Sequence, residues 1–76
     1  MTTTMTQPDV FLAHHILLGR LTAILQDTYA EYLLCMSTAT LARQDGFPGQ
    51  AAKYQGIADA HRQTCRRLAR CLAVRA

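Results

Sequence analysis

The sequence predicts an all-α protein, a long antiparallel helical hairpin that dimerises into a four-helix bundle. Apolar residues recur at steps of three and four along most of the chain, and a single cluster of turn residues interrupts them. Half of the 76 residues are hydrophobic, whereas 17% are charged. A chain this short buries only about 60% of the surface its unfolded form exposes and is marginal alone. Its apolar load exceeds what one hairpin hides, so self-association is the expected supplement.

Residues 1–7, Met1-Thr2-Thr3-Thr4-Met5-Thr6-Gln7, read as a flexible tail, because no basic residue precedes an apolar run as it does in a secretory signal. The hairpin domain is expected over 8–76. Its first helix spans about 8–44, where Phe11, His14, Leu18, Leu21, Leu25, Thr28, Tyr32, Cys35, Ala39 and Ala42 form one seam. Pro8 suits a first turn, since its missing N–H has no partner to lose there, and Asp9 places a carboxylate at the positive end of the helix dipole. Gly19 interrupts the pattern and is expected to mark a bend or a close helix contact. Leu17, Ile24, Leu33, Leu34 and Met36 flank the seam, while Arg20, Asp27, Glu31 and Thr38 keep only a narrow polar strip. A helix apolar over so much of its circumference needs more than one neighbour.

Asp45-Gly46-Phe47-Pro48-Gly49 is the turn (45–49), with Gly46 suited to the left-handed residue after a helix and Pro48 to the first turn of the next. So short a connection makes the helices antiparallel neighbours. The second helix is expected over about 48–73, with Tyr54, Ala58, His61, Cys65, Leu68 and Leu72 on its seam. Its small residues Ala51, Ala52, Gly56, Ala58, Ala60 and Ala69 favour a close approach of the axes. Two helices leave a face open on each side of their seam, and a second hairpin supplies the missing pair. The core and dimer residues expected are Leu18, Leu21, Leu25, Tyr32, Tyr54, Ala58, Leu68 and Leu72.

The three cysteines, Cys35, Cys65 and Cys71, are odd in number and fit neither a disulfide framework nor a paired zinc module. Reduced thiols in a cytoplasmic protein are the simpler reading. The longest uncharged apolar stretches fall short of the roughly 20 residues that cross a bilayer, so no membrane partner is expected.

The stretch from Leu21 to Tyr32, LTAILQDTYAEY, and the turn Gly46-Phe47-Pro48-Gly49-Gln50-Ala51-Ala52-Lys53-Tyr54 resemble the first helical hairpin of the ferritin-like family. The likeness covers about 50 residues, from Leu21 to Leu72. It implies half of a ferritin-like bundle. In that family a glutamate on the first helix and a Glu-x-x-His pair on the second hold iron, because a di-iron centre needs bridging carboxylates and imidazole. Asp27 falls at the first of these positions, but His61 stands in place of the glutamate and Thr64 in place of the histidine. The metal motif is broken, and ferroxidase chemistry is not expected of it. A two-fold dimer could still gather Asp27, Glu31 and His61 into an imidazole–carboxylate set suited to zinc or one iron.

Cys65 lies four residues from His61 and could join a soft-metal site, although buried, unreactive cysteine is the plainer reading. The pair lacks a glycine-rich loop, an oxyanion donor and an orienting group, so no catalytic set is identified. His14 and His15 are adjacent and point about 100° apart on a helix, which fits packing better than chelation. The net charge of +3 comes mainly from Arg62, Arg66, Arg67, Arg70 and Arg75. Arg62, Arg66 and Arg70 form a stripe at i, i+4 and i+8, with Arg67 beside it. Such a stripe complements the helix dipole and offers a surface to an acidic protein partner. Nucleic acid is the weaker alternative, because no aromatic residue follows Tyr54 to stack on bases. The function expected is therefore non-enzymatic: protein interaction or assembly as a homodimer or higher even oligomer, with a degenerate metal-binding protein as the runner-up.

Overall fold

The computed structural model describes residues 7–75, and side chains from 10 to 74. They form two helices, α1 (Gln7–Gln44) and α2 (Pro48–Arg75), and no strand occurs among the described residues. Residues 1–6 of the expected tail lie outside them.

The turn is fixed by backbone hydrogen bonds that only one residue type makes easily. Gly46 takes φ of 82°, the left-handed region that costs a glycine nothing. This lets the Phe47 N–H donate to the Ala42 carbonyl at 2.8 Å and the Gly46 N–H donate to Arg43 at 3.3 Å. Together they satisfy two carbonyls left over at the end of α1, the pattern of a Schellman cap. One residue later the Phe47 carbonyl already accepts from the Ala51 N–H at 3.0 Å, which opens α2 with Pro48 as its first residue. A reversal this short brings α2 straight back along α1.

The two seams meet as an alternation of three and four steps predicts. From His14 to Ala42 every seam position of α1 is half-buried or buried, and so are Ala51, Tyr54, Ala58, His61, Cys65, Leu68 and Leu72 on α2. Gln55 Nε2 lies 3.4 Å from Met36 Sδ, which sets the register. Stepping along both helices from that pair, the end of α2 falls level with about Ile16 of α1. Phe11, expected on the seam, is exposed for this reason: it lies beyond the end of α2. With α1 at 38 residues and α2 at 28, the overhang is about 15 Å at 1.5 Å per residue.

Packing is tight at the turn end and open at the other. The buried apolar residues are Cys35, Ala39, Ala42, Ala51 and Ala58, all small and all in the half nearest the turn. Among the described residues no large side chain is fully buried. Of the expected core residues only Ala58 is buried, while Leu18, Leu21, Leu25, Tyr32, Tyr54, Leu68 and Leu72 are half-buried because two helices cover just one side of each. The close approach also uses fewer small residues than α2 supplies, since Ala52, Gly56, Ala60 and Ala69 face solvent. Gly19 marks no close contact within the hairpin; a Cβ there would meet nothing within 4 Å.

Thr22, Thr28, Thr38, Thr40 and Thr64 each donate their hydroxyl to the carbonyl four residues back, at 2.7–3.1 Å. Their polar atoms are thus satisfied inside the helix, which lets Thr28 sit half-buried on the seam, and Thr38 half-buried beside it, without a cross-helix partner among the described residues.

Candidate interaction surface

The hairpin has two flanks, and they differ in chemistry. On the first, Gln55 reaches Met36 across the helices and Asp59 along its own, at 3.2 Å. Arg62 follows Gln55 by seven residues, two helical turns, and so continues this side of α2. Arg66, Arg67 and Arg70 carry the charge outward from it. All four arginines are exposed, and none holds an ion pair among the described residues. Gln63, Arg66, Arg67 and Arg70 line a shallow polar depression between them. On α1, Tyr29 lies seven residues before Met36 on this flank, its ring 6.0 Å from that of Tyr32.

The second flank is apolar. Val10, Leu17 and Ile24 recur at intervals of seven on α1, and Ile57, Thr64 and Cys71 do so on the same side of α2; all six are exposed. The outer side of α1 adds Leu33, Leu34 and Leu41, again exposed, and a shallow groove near the turn is lined by Met36, Ser37, Thr40, Leu41 and Gln44. Apolar residues therefore surround α1 on nearly every side, whereas α2 separates an apolar seam from an arginine face.

The candidate metal residues are not brought together within one chain. Asp27 and Glu31 are exposed, His61 is half-buried on the seam of α2, and Thr64 spends its hydroxyl on the Ala60 carbonyl. Among the described residues no three His, Cys, Asp or Glu side chains converge. Cys65 is half-buried beside Leu68, Cys35 is buried and Cys71 exposed, all three as free thiols. His15 packs edge-on against Phe11, ring centroids 4.4 Å apart, and His14 is half-buried on the seam.

Ala51, expected among the small residues that let the axes approach, is buried, and it stands three residues before Tyr54, one step further along the same alternation. Gln55 was not expected to pack, because which flank a polar residue closes depends on how the partner helix approaches. No helix among the described residues is long and apolar enough to cross a membrane. Comparison with protein-family models, with curated proteins and with solved structures finds no match to this chain.

Proposed function

We propose that the chain is a non-enzymatic interaction protein, a homodimeric four-helix bundle whose arginine face engages an acidic protein partner. The surface area carries this reading. One chain exposes 6049 Å² for a mass of 8.4 kDa, against about 4,600 Å² for a compact monomer of that mass. The radius of gyration, 18.6 Å, compares with about 11.4 Å for a compact domain of this length. Much of the extra surface is apolar, with thirteen large hydrophobic side chains at least 37% exposed. Returning to a compact ratio requires each copy to bury about 1,400 Å², which places a dimer interface within the 2,000–5,000 Å² total range of obligate homodimers.

The arginine face then lies outside the bundle. Arg62, Arg66, Arg67 and Arg70 hold no ion pair to a carboxylate among the described residues, an arrangement that favours an acidic surface supplied by another molecule. Sedimentation equilibrium tests the reading. A mass of twice 8.4 kDa, held across a hundredfold dilution from tens of micromolar, is expected; a helical species with the mass of one chain contradicts it.

A further inference from the structure

We infer that the second copy docks antiparallel along one stripe of α1, in a register set by Arg20 of each copy meeting Glu31 of the other. The inference rests on the homodimer proposed above and adds its face and its alignment.

The stripe lies about a quarter turn around α1 from the seam that holds α2. In a square four-helix bundle each helix touches two neighbours at about that angle, so α1 presents one contact line to α2 and a second to another helix. The second line follows the same alternation of three and four. It is apolar at both ends, with Val10 and Leu17 at one and Leu34 and Leu41 at the other, and its middle carries Arg20, Ile24, Asp27 and Glu31. Its five large apolar members, Val10, Leu17, Ile24, Leu34 and Leu41, are 37–62% exposed in the single chain, and neither Arg20 nor Glu31 holds an ion pair among the described residues.

A two-fold interface must be complementary to itself when reversed, because residue i of one copy meets residue j of the other and j meets i. The midpoint of Gln7–Gln44 falls between Leu25 and Gln26. Val10 and Leu41 are equidistant from it, as are Leu17 and Leu34, and so are Arg20 and Glu31. Overlapping two α1 helices along their full length therefore sets aliphatic side chains against aliphatic side chains at both ends. In the middle it sets a guanidinium against a carboxylate, twice, with Ile24 of each copy opposite Asp27 of the other between them. Asp27 of the second copy lies one turn further on, so each Arg20 faces two carboxylates. This orientation puts the two turns at opposite ends of the bundle. The overhang of one copy, bare where its own α2 stops, then lies beside the turn end of the other, where three helices share the apolar surface.

Charge reversal at the two exposed positions tests this on the full chain, with dimer dissociation followed by sedimentation equilibrium and folding by circular dichroism. Arg20→Glu and Glu31→Arg each place like charges opposite one another twice per dimer, and each is expected to raise the dissociation constant at least about 30-fold. The double variant, Arg20→Glu with Glu31→Arg, restores opposite charges and is expected to recover most of that loss. A photo-crosslinker in place of Leu41 reads the same register without changing charge: capture near Val10 is expected. Its own Val10 lies about 46 Å away along α1, so such capture must come from the other copy. Single reversals without effect, a double variant no tighter than the singles, or capture near Leu41 of the other copy would each overturn this docking while leaving the dimer intact. A wild-type chain that stays monomeric overturns the dimer as well.

Discussion

Two glycines three residues apart in the turn should respond to the same substitution with opposite sign. At Gly46, φ is 82° and a built Cβ meets nothing within 4 Å, so alanine finds room but not conformation. Holding an L-residue in the left-handed region costs about 1–2 kcal/mol. If the turn relaxes instead, it gives up the hydrogen bonds from Phe47 to Ala42 and from Gly46 to Arg43, each worth about 1 kcal/mol net. Both routes lead to a loss of about 1–2 kcal/mol per chain for Gly46→Ala. Asparagine tolerates this region better, so Gly46→Asn should lose less than alanine. Gly49 lies in the first turn of α2 without a positive φ, and its Cβ position is also open. Gly49→Ala removes unfolded-chain freedom at no steric cost and should stabilise by about 0.4–1 kcal/mol. Urea unfolding at fixed protein concentration measures both. Equal destabilisation by the two substitutions would refute the assignment of Gly46, rather than Gly49, as the helix cap.

Other positions give equally direct tests. Gly19→Ala and Gly56→Ala fill open space in helix interiors and should each add about 0.5–1 kcal/mol of stability by urea unfolding, whereas a loss would reveal a neighbour at that position. Ala58 is fully buried between the helices, so Ala58→Leu should push them apart and cost about 1–3 kcal/mol in the same assay; an unchanged midpoint would show that the seam is not closely packed there. Converting Arg62, Arg66 and Arg70 together to glutamate should abolish retention on immobilised poly-glutamate while the helical circular dichroism signal stays constant. Unaltered retention would leave the stripe as a solvated face that compensates the helix dipole.

The sequence made the hairpin readable because its two strongest signals are local. Ala39, Ala42 and Ala58 are buried where the three-four alternation places them, and the glycine and proline of the turn act through their own backbone limits. Phe11 shows where that logic stops. It belongs to the alternation as fully as His14 does, but its exposure depends on where α2 ends, which is a matter of relative length and register between helices. Gly19 shows the same limit from the other side, since an interior glycine does not reveal which neighbour, if any, approaches it. The arginine stripe was legible as a surface because charged residues at i, i+4 and i+8 share one side of any helix. Whether a partner reads that surface was not, because the chemistry of a partner is written in the partner's sequence.

Native mass spectrometry of tag-free protein, purified without chelators, tests the dimer most directly, since one spectrum reports subunit number and any retained metal mass together. A species of two chains is expected, with one chain appearing only on dilution or at raised collision energy. A spectrum dominated by one folded chain under gentle conditions would contradict the dimer and leave the excess apolar surface of α1 without the partner assigned to it.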